Sequence, residues 1–224
     1  MSDHNAAAAG EGLSPQYHVA HHFDTADQQF ESNRMGVWLF LVTEILFFGG
    51  LFCAFAVFRT WYLPGFVEAH HHLDKIMGAI NTVVLITSSL TMALAVRGAQ
   101  TAKKGATTAL LALTILCALI FLVVKYFEYS HKFHEGLLPG AAFHAEGFHH
   151  AKQASIFFAV YFMMTGVHGL HVVIGIGLIT WILIRNHKGH FSGRYYSPVE
   201  NVGLYWHLVD LVWIYLFPLL YLVG

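Results

Sequence analysis

The chain has 224 residues, of which 56% are hydrophobic and only 11% are charged, against roughly 25% charged residues in a typical soluble domain. This composition excludes an ordinary water-soluble protein. Twelve Lys and Arg residues against thirteen Asp and Glu residues give a formal charge of −1, so no basic excess is present to bind a nucleic acid by counterion release.

The first segment of the chain, residues 1–34, is polar and contains several alanines and histidines. It lacks the apolar core that a secretory signal peptide requires. We therefore predict that residues 1–34 form a retained, loosely structured tail, and that the structured domain begins at residue 35.

Five apolar stretches follow the tail, and each is close to the roughly 20 residues that an α-helix needs to cross a bilayer. Each stretch is nonpolar around its whole circumference, which a monomeric soluble helix could not bury. We therefore predict an all-α fold, a polytopic membrane bundle of five transmembrane helices formed by residues 35–224. The stretches cover residues 35–58, 76–96, 106–127, 155–184 and 202–223.

The basic residues near the ends of these stretches indicate the orientation of the chain. Seven Lys and Arg residues fall on the side of the membrane that holds the N-terminus, and five fall on the other side. Because Lys and Arg near a span resist translocation, we expect the N-terminus in the cytoplasm and the C-terminus outside.

Glu44 is the most informative residue of the first stretch. It lies about nine residues into a helix that rises 1.5 Å per residue, and so on the order of 13 Å deep. A carboxyl at that depth generally faces the interior of a bundle and often serves a proton or ion path. The alternative is a protonated structural side chain that hydrogen-bonds a neighbouring helix. We expect Glu44 to be proton-active.

Glu128 lies near the end of the third stretch and follows Lys125 by three residues. This spacing places the two side chains on one face of a helix and predicts an ion pair. Two interpretations stay open, a neutralised structural pair at the membrane interface and a second proton-active acid.

Two further pairs of polar residues lie within the spans, and each pair is spaced to share a helix face. They could bind a metal, ligate haem or form hydrogen bonds between helices. We expect hydrogen bonds, because buried imidazoles normally find a polar partner. Haem ligation would need a histidine of one pair to face the histidine of the other at matching depth. The residues are His168 and His171 in the fourth stretch, and His207 and Asp210 in the fifth.

Most of the seventeen histidines fall outside the apolar stretches, in the tail and in two connections. Their spacing is irregular and no cysteine supports them, so we predict no metal site on this chain. The sequence contains no nucleophile elbow, phosphate-binding loop or dinucleotide fingerprint, and we predict no catalytic residue.

Five strings within these stretches are distinctive: WLFLVTEILFFGGLFCAF, NTVVLITSSLTM, KYFEY, TGVHGLHVVIGIG and YWHLVDLVWIYLFPLLYL. In this order they resemble the helices of subunit III of cytochrome c oxidase. The resemblance extends from about residue 35 to residue 224, and the strings HGLH and YWHLVDLVW are its most specific parts.

The resemblance implies a non-catalytic core subunit of a proton-pumping haem-copper oxidase in a bacterial cytoplasmic membrane. Such a subunit packs on subunit I, limits inactivation during turnover and assists proton uptake, while the haems and copper belong to subunits I and II. It binds no cofactor itself, apart from a phospholipid. Subunit II, membrane lipids and a respiratory supercomplex are further partners consistent with the resemblance.

The resemblance also implies roles for individual residues. Glu44 matches the family's intramembrane glutamate that reacts with carbodiimide, and Glu128 matches the glutamate of the next acidic motif. Arg185 falls where the family places an arginine on a phospholipid headgroup. The other matches are polar helix contacts, namely His168, His171, His207 and Asp210.

The chain departs from the usual pattern, because its first span corresponds to the third of the family's seven helices. A lipid cleft that needs the missing pair would be half built, which leaves the role of Arg185 open. Subunit III of a quinol oxidase, or the homologue associated with nitric oxide reductases, is the alternative within this class. An autonomous proton transporter and a haem b protein are the alternatives from other classes.

Overall fold

The computed structural model describes residues 24–140, 143–144, 147–191 and 196–222. Within these ranges the chain is almost entirely helical and contains no β-strand. The elements are α1 (Ala26–Trp61), α2 (Leu63–His70), α3 (Lys75–Gln100), α4 (Lys104–His134), α5 (Ala151–His187), α6 (Ser197–Phe217) and a π-helical turn over Pro218–Leu222. By length and composition, five of the helices can cross a membrane, which confirms the predicted all-α class and the number of spans.

The helices extend further than the apolar stretches. Helix α1 begins at Ala26, where the side chain of Thr25 caps it by accepting a hydrogen bond from the backbone of Gln28. The last residues of the predicted tail are therefore helical, and residues 1–23 lie outside the described part. Helix α4 likewise continues to His134. Polar residues can prolong a helix beyond the hydrocarbon layer, and hydropathy does not detect such extensions.

The short helix α2 was not predicted. It follows α1 almost directly and has Pro64 in its first turn, where a proline costs no hydrogen bond and its fixed φ suits a helix. Its residues Phe66 and Ala69 are buried, and Phe66 packs edge-on against Phe157 of α5, with ring centroids 5.2 Å apart. Helix α2 therefore covers one end of the bundle.

Helix α6 forms the centre of the bundle and α1 lies at its edge. Half of the apolar window of the last span, 50%, is buried inside the chain, against only 17% of that of the first. Trp206 and Trp213 of α6 are fully buried. Most of α1 therefore presents its apolar side chains to lipid or to another polypeptide, as expected for a chain that has protein neighbours.

Two glycines of α5 offer a matched test of this packing. A Cβ atom on Gly175 would lie 2.5 Å from Trp206 Cζ3, whereas a Cβ on Gly177 would meet nothing within 4 Å. We expect Gly175→Ala to destabilise the fold by about 1–3 kcal/mol through overpacking, and Gly177→Ala to be neutral or slightly stabilising. Thermal unfolding of the two variants in detergent measures the difference. Equal unfolding temperatures would contradict close packing of α5 on α6.

Candidate functional site

Glu44 of α1 and His171 of α5 meet in the membrane-spanning part of the bundle. The distance between Glu44 Oε2 and His171 Nε2 is 3.0 Å, and the two side chains are only 18% and 13% exposed. The imidazole packs against the ring of Phe48, with centroids 5.1 Å apart. The pair therefore joins the edge helix α1 to the core of the bundle.

The other ring nitrogen of His171 defines the protonation of the pair. His171 Nδ1 lies 2.8 Å from the carbonyl oxygen of Val167, and because a carbonyl only accepts, Nδ1 carries a hydrogen. In a neutral imidazole Nε2 is then an acceptor, so Glu44 must donate its proton. In an imidazolium, Nε2 donates to a carboxylate instead. In both states one proton lies between Glu44 Oε2 and His171 Nε2.

His207 and Asp210 both face α3, but they bind two different serines and not each other. His207 Nδ1 lies 2.7 Å from Ser89 Oγ. Ser88 Oγ accepts a hydrogen bond from Trp206 Nε1 at 3.0 Å and donates to Asp210 Oδ2 at 3.4 Å. Within the described residues Asp210 Oδ1 has no hydrogen-bond partner. These contacts hold α6 against α3, with the Ser88 contacts buried and the Ser89–His207 contact partly buried.

His168 departs from the prediction that it would form an interhelical hydrogen bond. Its side chain is fully buried, yet neither ring nitrogen has a partner among the described residues. The imidazole packs between the rings of Phe121 and Trp213, with centroid distances of 5.5 and 5.2 Å. Aromatic packing takes the place of the expected polar contact.

A buried ionic cluster surrounds Glu128. Lys125 Nζ lies 2.9 Å from Glu128 Oε2, as the spacing on α4 predicts. Glu128 Oε1 accepts hydrogen bonds from the hydroxyls of Tyr161 at 2.8 Å and Tyr221 at 2.6 Å, and a longer one from Lys132 at 3.4 Å. Glu128 is 1% exposed, so the cluster is buried in the core, whereas the sequence left open a structural pair at the membrane interface and a second proton-active acid.

Lys125 is fully satisfied within this cluster. Besides Glu128, its ammonium donates to the hydroxyls of Tyr221 at 2.7 Å and Tyr161 at 3.3 Å. The same ammonium lies 4.8 Å from the centre of the Trp213 ring and 5.7 Å from that of Tyr129, within the range of cation–π attraction. An aromatic cage therefore replaces the water that a lysine would have at the surface.

The end of the bundle that carries α2, the start of α3 and the end of α4 is rich in histidines; we call it the histidine-rich end. Here Glu68 fixes the connection between α4 and α5, accepting backbone hydrogen bonds from His149 at 2.7 Å and His150 at 3.0 Å. These bonds, that of His149 above all, lower the pKa of Glu68. Burial lowers the pKa of His70, which favours its neutral form.

Arg185 lies at the opposite end of the bundle, in the last turn of α5. Its guanidinium stacks on the rings of Trp181 and Phe191, at 5.1 and 5.9 Å from the ring centres. This position suits a membrane interface, where Trp rings are frequent. Among the described residues, no group of three or more His, Cys, Asp or Glu side chains is arranged to hold a metal ion.

Comparison with known proteins identifies the family. The family model of cytochrome c oxidase subunit III matches residues 17–224. The chain belongs to this family. The chain is 33% identical to cytochrome c oxidase subunit 3 of Synechocystis sp., over 84% of the chain and 74% of the relative. It is 30% identical to quinol oxidase subunit 3 of Bacillus subtilis, over 92% of the chain and 97% of the relative.

A third relative carries the same unit inside a longer chain. The heme-copper oxidase subunit I+III of Aeropyrum pernix is 32% identical to this subunit III over 85% of the chain, which spans only 22% of the relative. This chain is a subunit III of the heme-copper oxidases, which are oxidoreductase complexes, and its five apolar helices are those of an integral membrane protein.

Several residues that form the polar contacts were not predicted from the sequence. Tyr161, Tyr221 and Lys132 complete the cluster around Glu128, and Ser88 and Ser89 are the partners of α6. The spacing of Lys132, four residues after Glu128, is a signal that could have found it. The tyrosines come from α5 and the C-terminal π-helical turn, and no local sequence pattern predicts their contact with Glu128.

Proposed function

We propose that this chain is the non-catalytic core subunit III of a proton-pumping cytochrome c oxidase in a bacterial respiratory chain. In this proposal it packs on subunit I, contacts subunit II and stabilises the oxidase during turnover. The observation that carries the proposal is the family match over residues 17–224. The Aeropyrum pernix relative, which unites subunits I and III in one chain, supports direct contact with subunit I.

The proposed part in proton uptake rests on the Glu44–His171 pair. One proton lies between the two side chains across a 3.0 Å contact, and either partner can carry it. Both side chains keep some exposure, on the helix that the rest of the chain covers least. A group placed there can exchange a proton with a partner subunit or with a water chain alongside it.

The proposal assigns the haems and copper to the partner subunits. The surroundings of the intramembrane histidines support this assignment, because His171 is bound to Glu44, His207 to Ser89, and His168 is enclosed by two aromatic rings.

The position of Arg185 also supports a role toward lipid. Arg185 stacks on Trp181 and Phe191 at the end of a membrane span, where its guanidinium could donate hydrogen bonds to a phospholipid phosphate. In the proposed orientation this end of the bundle, and the N-terminus with it, faces the cytoplasm.

A quinol oxidase is the second candidate for the parent enzyme. The Bacillus subtilis quinol oxidase subunit 3 is matched over 97% of its length, more completely than the cytochrome c oxidase subunit of Synechocystis sp. at 74%.

The test is purification of the complex through an affinity tag on this chain. We expect chains that carry haem and copper to co-elute, and the eluate to reduce oxygen with reduced cytochrome c as donor. Deletion of the chain should hasten the loss of activity during turnover. A chain that elutes alone, or that shows a Soret band without partners, would contradict the proposal. Activity with quinol but not with cytochrome c would establish the second candidate.

A further inference from the structure

Three polar side chains in the interior of the bundle carry hydrogen-bonding atoms that no described residue satisfies. Both side-chain polar atoms of Asn81, both ring nitrogens of His168 and Oδ1 of Asp210 are buried without a partner. The three residues belong to α3, α5 and α6 and are at most 2% exposed. Buried polar atoms in native proteins are nearly always hydrogen-bonded, and each exception needs a physical explanation.

Trp213 of α6 is a common neighbour of the three residues. The ring of His168 packs against its indole, with centroids 5.2 Å apart. The indole Nε1 donates a hydrogen bond of 3.1 Å to Thr82, which directly follows Asn81 in α3. Asp210 precedes Trp213 by three residues and therefore lies one turn away on the same face of α6. The unsatisfied atoms thus belong to one region of the core.

Asp210 is the most costly of the three to leave unsatisfied, because a carboxyl group can carry a charge. Its Oδ2 accepts one long hydrogen bond of 3.4 Å from Ser88, whose Oγ already accepts from Trp206. None of the ion pairs in the described part of the chain includes Asp210. Whether it is a carboxylate or a carboxylic acid, its Oδ1 needs a partner from another source.

Water fits these groups better than an ion does. An amide offers donors and an acceptor, a neutral imidazole offers one of each, and a carboxyl oxygen accepts or donates according to its protonation. A water molecule can satisfy any such mixture, since it typically makes about three hydrogen bonds in a protein interior. An ion needs several ligands in one geometry, and no three His, Cys, Asp or Glu side chains among the described residues provide it.

The buried cluster around Glu128 connects this region to the protein surface. Lys125 Nζ lies 4.8 Å from the centre of the Trp213 ring and 2.9 Å from Glu128 Oε2. Glu128 and Lys132 in turn line a pocket of about 540 Å³ at the histidine-rich end, between the start of α3 and the last turns of α4. Polar side chains therefore continue from this pocket to the level of Trp213, and they offer water a route into the bundle.

We propose that the core around Trp213 binds a short chain of internal water molecules, held by Asn81, His168 and Asp210. These waters supply the interhelical hydrogen bonds that the three side chains do not make directly, and so they join α3, α5 and α6. They also give Asp210 a hydrogen-bonded link to the Glu128 cluster and the pocket beyond it. The site does not depend on which heme-copper oxidase contains the subunit.

The direct test is electron cryo-microscopy of the whole oxidase in lipid nanodiscs, at a resolution that shows ordered water elsewhere in the complex. We expect solvent density about 2.7–3.2 Å from Asp210 Oδ1 and from a side-chain polar atom of both Asn81 and His168. A core without solvent density at these groups would overturn the proposal. Density at the roughly 2.0–2.6 Å of a metal–ligand bond would overturn it as well.

His168→Phe tests the site without removing the aromatic packing. The phenyl ring can still pack between Phe121 and Trp213, but it has no nitrogen to hold water. The solvent density beside position 168 should disappear, while that at Asp210 Oδ1 remains. Unchanged solvent density beside the phenyl ring would show that His168 does not hold the water, and would overturn its part in the site.

Asn81→Leu distinguishes a hydrated side chain from an unsatisfied one by the sign of its effect on stability. Loss of a satisfied hydrogen bond destabilises a protein, whereas removal of an unsatisfied buried polar group relieves a desolvation cost. We therefore expect Asn81→Leu to lower the unfolding temperature of the subunit in the detergent-solubilised oxidase by about 2–4 °C.

Asn186→Leu is the matched control for this measurement. Asn186 is also buried, and its amide donates to the carbonyl oxygen of Lys104 at 3.1 Å and to Thr108 Oγ1 at 2.9 Å. Its replacement should lower the unfolding temperature by a similar amount. A lower unfolding temperature for Asn186→Leu together with a higher one for Asn81→Leu would show that Asn81 is unsatisfied, and would contradict the proposal. If Asn81→Leu fails to assemble, the solvent density in His168→Phe decides.

Discussion

Replacement of Glu128 by leucine is expected to destabilise this subunit III by about 3–5 kcal/mol, the usual penalty for removing one partner of a buried ion pair. The carboxylate accepts from two lysines and two tyrosine hydroxyls. Without it, Lys125 and Lys132 are left as two buried like charges. The measurement is the amount of subunit that remains with the purified oxidase, together with its unfolding temperature in detergent.

A control and a rescue make this prediction specific. Glu31→Leu makes the same substitution at an exposed position in the first turns of α1 and should leave retention unchanged. Replacing all three charges, with Lys125→Met and Lys132→Met added to Glu128→Leu, should restore much of the lost stability, because an apolar core tolerates well-packed substitutes for a buried triad. Retention of the Glu128→Leu subunit at the wild-type level would show that the cluster is not structural.

Local spacing along a helix accounts for what could be predicted of this cluster. Lys125 and Glu128 are three residues apart, and their ion pair follows from helix geometry. Tyr161 and Tyr221 lie 33 and 93 residues from Glu128 in sequence, and their approach depends on how α4, α5 and the C-terminus pack. Because that packing results from side-chain fit around the whole bundle, no short stretch of the sequence predicts it.

The same limit applies to the Glu44–His171 pair. Each residue could be singled out from its depth in an apolar stretch, since ionisable groups are costly there. Their pairing joins positions 127 residues apart, and the sequence offered other partners for both. The histidine was expected to share its role with His168, yet the two rings face different neighbours, Phe48 for His171 and Trp213 for His168.

The polar contacts have a common physical role, because the helices of this bundle are apolar on every face. Apolar packing alone discriminates weakly between rotations and shifts of one helix on another in lipid, because all faces are similar. The His207–Ser89 and Glu44–His171 contacts each specify one alignment of two helices. A misaligned helix would leave these groups unpaired in a medium that cannot solvate them.

Glu44→Gln is expected to abolish labelling of this chain by a hydrophobic carbodiimide while the subunit assembles normally. The reagent attacks a carboxyl group that carries a proton, and the contact with His171 Nε2 at 3.0 Å holds one proton at Glu44 or beside it. The glutamine amide keeps the shape and can still donate to His171, so the helices remain joined. Mass spectrometry of the labelled chain measures the modification and locates it.

Glu128 provides an internal comparison in the same experiment. It is also buried within a span, but two ammonium groups and two hydroxyls donate to it, and these donors favour the carboxylate and so protect it from the reagent. No label is therefore expected on the peptide that contains Glu128. Label on Glu128, or undiminished label in the Glu44→Gln variant, would show that the transferable proton does not belong to the Glu44–His171 pair. Slower proton uptake by the Glu44→Gln oxidase, with unchanged subunit content, would connect that proton to turnover.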